Sequence, residues 1–139
     1  MQHARVERPA ENFEGVDINN TMFRLERYLG RHRVLVVFFS AEETAAHDVT
    51  LLAVRDAFPR LAKNDIKVVG VSTALPQDNR RAIETAGEFP FPLISDPDMS
   101  IHRRWSRLDP QSQQPRTGTF LIDRKGTVPA LGGIVQPVE

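Results

Sequence analysis

The run Val34-Leu35-Val36-Val37-Phe38-Phe39 is the strongest constraint on how this chain folds. It is continuous, β-branched and aromatic, with no polar residue at alternate positions. A strand with one wet face would alternate, so this one must be covered on both faces, at the centre of a sheet held between layers. Ile66-Lys67-Val68-Val69-Gly70-Val71-Ser72 is a second buried-strand candidate, and Leu93-Ile94-Ser95 and Thr119-Phe120-Leu121-Ile122-Asp123 are shorter ones. Helical segments lie between them. From Glu43 to Pro59 the spacing is helical, with Leu52, Ala53 and Ala57 on one stripe, Glu42 and Glu43 where negative charge favours a helix start, and Pro59 bending or ending the helix. Pro76 to Ala86 is a second helix, with Pro76 in its first turn and Gly87 past its end. Phe89-Pro90-Phe91-Pro92 must be extended, and Asp96 or Asp98 caps a third helix through Ile101 and Trp105. Helices alternating with buried strands predict a three-layer α/β/α sandwich on a mixed sheet.

The flanks are antiparallel. Two short extended runs surround Asn19-Asn20, and asparagine tolerates the positive φ of a tight turn, so an N-terminal β-hairpin is expected. Leu25 to Leu29 reads as one helical turn capped by Gly30. At the other end, Arg124-Lys125-Gly126 turns the Thr119–Asp123 strand back into Thr127 to Leu131. Residues 1–11 are polar, contain Pro9 and read as an extended arm. Residues 12–139 read as one domain, because no Gly/Ser linker or repeat divides them.

Composition excludes several functions. The chain has no cysteine, which removes disulfides, thiolate metal sites and any mechanism using its own thiol. Its 18 basic and 18 acidic side chains cancel, so no nucleic acid partner is expected. The run at 34–39 is far too short for a membrane span, and the charged N-terminus lacks a secretory h-region, so the expected location is the cytosol. His3, His32, His47 and His102 show no ligand spacing, and neither a metal nor another cofactor is expected.

In this order the segments resemble the thioredoxin-like fold, and more narrowly the peroxiredoxins of the alkyl hydroperoxide reductase and thiol-specific antioxidant family. Asn12-Phe13 through Leu25 with Tyr28-Leu29-Gly30 is similar to that family's opening hairpin and turn. Val34 to Thr44 is similar to the strand entering its peroxidatic loop. Val69-Gly70-Val71-Ser72 with Phe91-Pro92-Leu93-Ile94-Ser95-Asp96, and Thr119-Phe120-Leu121-Ile122-Asp123 with Gly126, are similar to its later strands. The resemblance covers roughly residues 12–131.

The resemblance implies a site, and the site is degenerate. The family motif Pro-x-x-x-Thr-x-x-Cys falls on Ser40, Thr44 and His47, so the threonine is kept while the proline and the cysteine are not. Thiol peroxidases cleave the O–O bond by attack of a thiolate, giving a sulfenic acid. A helix N-terminus and a nearby arginine lower the thiol pKa. Imidazole cannot replace that nucleophile. The family arginine aligns with Thr117, one residue after Arg116. In an extended segment such a slip points the side chain to the opposite face, while a bulge at Gly118 would bring it back.

Each singled-out residue also has a plain structural reading. Thr44 reads as a helix-start residue whose hydroxyl satisfies a free backbone N–H. Glu42 and Glu43 read as solvated charges at a helix start. His102-Arg103-Arg104-Trp105 with Arg107 is a basic patch able to meet an anion, or simply an amphipathic helix with Ile101, Trp105 and Leu108 inward. Family members commonly continue into a C-terminal helix, whereas this sequence stops soon after the last hairpin.

The expectation is therefore a cysteine-less, peroxiredoxin-like protein without thiol peroxidase activity, acting in binding or assembly as a homodimer or with a protein partner. The rival expectation is an enzyme whose pocket of His47, Thr44 and Arg116 does non-thiol chemistry or receives a thiol from a partner.

Overall fold

The computed structural model describes residues 8–128. Its centre is a four-stranded sheet in the order β6-β5-β4-β7, made of β4 (Arg33–Phe38), β5 (Ile66–Ser72), β6 (Leu93–Ser95) and β7 (Gly118–Ile122). The first three are parallel, and β7 joins β4 antiparallel with Val36 opposite Phe120. The expected mixed sheet is present, with the 34–39 run in an inner strand.

Alternation along β4 divides the core. Val34, Val36 and Phe38 point to one face and pack with Phe13, Leu25, Val69, Val71, Ile94, Ile101, Trp105 and Phe120. Leu35, Val37 and Phe39 point to the other and pack with Ala45, Leu51, Val54, Ala82 and Phe91. The helices α1 (Thr44–His47), α2 (Val49–Lys63) and α3 (Pro76–Ala86) contribute to the second layer, and α4 (Ser100–Arg104) to the first.

The N-terminal hairpin pairs β2 (Glu14–Val16) with β3 (Met22–Arg24). The Asp17 carboxylate shapes the turn by accepting from the backbone N–H of Asn19 and of Thr21, and Asn20 takes φ +61°. This hairpin sits so close to the sheet that a Cβ at Gly15 would collide with Ile94 Cγ2. Aromatic contacts tie the layer together: Trp105 lies 5.8 Å from Phe38, 5.5 Å from Phe120 and 6.2 Å from Phe13, centroid to centroid.

Four sequence expectations need correction. The helix expected from Glu43 is two helices, because Asp48 is extended (φ −69°, ψ 114°) and caps α2 afresh. Of the two outcomes expected at Pro59, a bend or an end, the end is removed, because α2 continues through it to Lys63. Its buried stripe is Leu51, Val54 and Ala57, whereas Leu52 and Ala53 are only half-buried. Finally, β8 (Thr127–Val128) does not form a ladder with β7. Its partner is β1 (Arg8–Pro9), so the N-terminal segment joins the fold at Val128, and residues 129–131 of the expected return strand lie outside the described residues.

Candidate functional site

The loop after β4 carries Ser40, Thr44 and His47, and one carboxylate organises it. Asp48, 8 % exposed, accepts from the Ser40 backbone N–H at 2.9 Å through Oδ2 and from the Leu51 N–H at 2.9 Å through Oδ1. The first bond pulls the loop onto the helix; the second satisfies a free donor at the start of α2. Ser40 Oγ accepts from the Glu43 N–H at 3.1 Å, and Ser40 O from the Thr44 N–H at 3.0 Å. Thr44 stands at φ +64°, a conformation that a β-branched residue enters at a cost. Its hydroxyl accepts from the Ala46 N–H at 3.1 Å, a local turn that satisfies a free donor of α1.

Thr44 and His47 then line one cleft of about 510 Å³ between the 41–47 segment and α3. His47 is exposed and has no hydrogen-bond or ion-pair partner among the described residues. Ser40 shapes the loop but does not line the cleft. Arg116 is elsewhere. It lines a different concavity with Arg103 and Gln113, and its guanidinium reaches Asp109 Oδ2 at 3.4 Å. The four positions of the family motif and arginine are thus not gathered into one pocket.

The basic patch also resolves by residue. Arg103 and Arg104 face solvent, and Arg107 lies over the Phe120 ring at 5.1 Å while donating to Thr117 O. Burial lowers the Arg107 pKa, and the neighbouring positive charge of Arg116 lowers it further. His102 is not part of this surface. It is 1 % exposed, and its Nδ1 lies 2.7 Å from Asp96 Oδ2.

No spacing pattern signals that pair, because His102 sits in an arginine-rich run that looks solvated. Asp96, also 1 % exposed, accepts in addition from the Ile101 and His102 backbone N–H groups at 3.0 and 2.9 Å. Burial alone would raise its pKa. The side-chain and backbone hydrogen bonds from His102 and Ile101 outweigh this and hold it below the usual aspartate value. Asp98 caps the Ser100 N–H, so both aspartates proposed as caps serve α4. The other residue that pattern reading missed is Asn79, buried on α3 beside the cleft, whose Nδ2 has no acceptor among the described residues.

Among the described residues no group of three or more histidine or acidic side chains is placed to hold a metal, and no helix is long and apolar enough to cross a membrane.

A model of the AhpC/TSA family matches residues 6–130. The chain belongs to this family. It is similar to the selenocysteine-containing peroxiredoxin PrxU of Peptoclostridium acidaminophilum, with 28 % identity over 122 residues, covering 84 % of this chain and 60 % of that protein. It is also similar to the thioredoxin peroxidase of Fasciola hepatica (28 % identity, 86 % of this chain and 66 % of that one). A third relative is the chloroplastic peroxiredoxin Q of Populus jackii (29 % identity, 81 % and 52 %). The chain therefore spans between about half and two thirds of these relatives' lengths. Among solved structures, the peroxidoxin BcpB of Mycobacterium tuberculosis matches with a TM-score of 0.72 at 24 % identity, over 91 % of this chain and 83 % of that one. The AhpC of Enterococcus faecalis matches with 0.74 at 20 % identity, over 89 % and 77 %. At those identities the likeness establishes the fold, which is thioredoxin-like. This AhpC/TSA protein is peroxiredoxin-like and has no cysteine anywhere in its 139 residues.

Proposed function

We propose that this AhpC/TSA protein is inactive as a thiol peroxidase and acts by binding or assembly in the cytosol. One observation carries the reading. The position where the family motif expects a reactive thiol is His47, an exposed imidazole with no partner among the described residues to orient it, and no cysteine elsewhere in the sequence replaces it. An uncoordinated imidazole is a poor nucleophile toward peroxide oxygen and forms no sulfenic acid for a thiol to recycle. The core around Phe38, Trp105 and Phe120 is nevertheless buried, as a fold retained for a binding role would be. Assembly has a physical route, since among the described residues β7 pairs in the sheet with β4 alone, and an edge strand is where a second chain could add its own. A homodimer is the first expectation and another protein the second.

The rival reading, an enzyme using His47, Thr44 and Arg116 together, is weakened by the placement of Arg116 on a separate surface. The test is peroxide consumption with a thiol reductant, alongside the mass in solution. No turnover above buffer and a mass above the monomer are expected; clear turnover overturns the reading. His47→Cys sharpens it. A variant that reacts with peroxide no faster than a free exposed cysteine marks a pocket that has lost its activating groups.

A further inference from the structure

We infer that residues 8–12 are a strap that opens from the folded core as a unit and uncovers the Trp105 and Phe120 rings. The device does not depend on the binding reading.

The strap runs from β8 to Phe13 and is tied down through its backbone. Its start is β1, where Arg8 stands opposite Val128 and Pro9 opposite Thr127. Next along the chain, the Ala10 N–H donates to Gly126 O at 2.9 Å. The Trp105 indole N–H then donates to Glu11 O at 3.0 Å, and the Arg104 guanidinium to Asn12 O at 3.1 Å. Pro9 has no N–H to add to the ladder. The strap's side chains contribute little. Arg8, Pro9 and Glu11 are exposed, and neither Arg8 nor Glu11 has an ion pair among the described residues. Ala10 is the small apolar residue that packs against the core.

Beneath the strap the packing is open. Residues 8–11 line a concavity of about 300 Å³ together with Trp105, Phe120 and Val128, so the strap lies along the rings without filling the space against them. A segment held by backbone bonds near the surface, with little apolar area buried, opens at a free energy far below that of the whole domain. The next residue fixes where opening stops. Phe13 is 1 % exposed, lies 6.2 Å from Trp105 between ring centroids, and accepts from the Leu25 N–H through its carbonyl.

Opening changes the surface beside the sheet. With the strap closed, Trp105 and Phe120 are 8 % and 7 % exposed and stand 5.5 Å apart, edge to face. With it open they form one aromatic face, a kind of surface enriched at protein contacts. Phe120 belongs to β7, so the strap governs a face of the same strand whose edge the binding reading uses.

Trp105 is the chain's single tryptophan and its indole N–H is bonded to the strap, so hydrogen exchange of that one signal reads the opening. In the full chain the indole N–H is expected to be at least about a hundredfold less protected than the backbone N–H groups of Val37 and Val69 in the β4–β5 ladder. Low urea should leave its exchange almost unchanged while accelerating that of the ladder, because opening the strap exposes little surface. Pro9→Cys with Thr127→Cys supplies a lock, placing two thiols across the β1–β8 pair in a chain that has no other cysteine. Paired residues of an antiparallel ladder lie about 4.5–5.5 Å apart at Cα, within the span of a disulfide. Oxidation of this variant should raise the indole protection at least about tenfold, and reduction should return it to that of the parent.

Indole protection equal to that of Val37 and Val69, with the same urea dependence, overturns the inference. So does an oxidised lock that leaves the protection as it is in the reduced form. Should the double variant fail to fold, the urea dependence of the parent decides alone. None of these measurements involves peroxide or a partner, so their failure leaves the binding reading where it stands.

Discussion

Two strand-to-helix junctions at the same end of the parallel strands are built on one buried aspartate each, and they end in opposite states. After β6, Asp96 gathers the Ile101 and His102 backbone N–H groups and the His102 ring, with the Ser100 hydroxyl at 3.4 Å, and the junction closes over itself. After β4, Asp48 takes one N–H on each oxygen and fixes the loop, yet the side chains of His47, Glu42 and Glu43 remain in solvent without partners among the described residues. A satisfied buried network makes one rigid structure and offers nothing to a ligand. The open junction, held from beneath by Asp48, leaves its charged side chains to solvent. The family's chemistry belongs to the open junction, and that is where the sequence has changed from the family motif.

The largest test of this contrast is Asp96→Ala. It leaves several buried donors, including a histidine ring nitrogen, without an acceptor, and should cost about 3–5 kcal/mol in a urea denaturation. A loss under about 1 kcal/mol would show the closed junction to be no more demanding than a surface cap. Should the alanine variant fail to fold, Asp96→Asn, which keeps the shape and some acceptor capacity, must lie between it and the parent.

The next test uses pH. Asp96 has a lower pKa folded than unfolded, so the folded state favours its charged form. Its contribution is complete above the unfolded value of about 3.9 and fades as pH falls through the lower folded value. Asp109 and Asp123 are lowered as well, the first by the Ser112 and Gln111 N–H groups, the second by bonds from Thr127 that overcome burial. The protein should therefore lose stability on acidification below about pH 4, and Asp96→Asn should lose it less steeply. The urea midpoint measured from pH 7 to pH 3 decides this; parallel curves for the two proteins would remove Asp96 from the acid response.

Asp48→Ala tests the open junction. It removes the cap of α2 and the clamp on Ser40, two hydrogen bonds rather than a network, and should cost about 1–2 kcal/mol. A cost equal to that of Asp96→Ala would erase the distinction between the junctions. The exposed His47 should be nearly silent, with His47→Ala within about 0.5 kcal/mol of the parent.

What the sequence made legible follows the same contrast. The spans Ile66–Ser72, Pro76–Ala86 and Leu93–Ser95 match the expectation because each is fixed by local chemistry: β-branched runs, a proline at the first helical position, a glycine after the last. The break at Asp48 escaped, because an aspartate inside a helical pattern reads as one more polar face residue unless its capping bonds are seen. The true pairing of β8 with β1 escaped as well, since a two-residue ladder between the chain's distant ends leaves no periodic trace. At the site, the family motif located Thr44 and His47 on one cleft. It could not locate Asn79 or the Asp96–His102 pair, because burial of a polar side chain depends on tertiary packing and not on spacing.

The most finely balanced effect concerns Thr44, where three contributions oppose one another. Glycine at this position would relieve a β-branched residue held at φ +64°, a gain of about 1–2 kcal/mol. It would also remove the hydroxyl that accepts from the Ala46 N–H, a loss of about 1 kcal/mol, and would free the unfolded chain, a loss of about 0.5–1 kcal/mol. The sum is close to zero, so Thr44→Gly should lie within about 1 kcal/mol of the parent in urea. A larger loss would mean that the threonine hydroxyl does more at the open junction than satisfy one backbone donor. A gain well beyond that range would mean that the conformation of the cleft wall is held against a strain that only a bound partner repays.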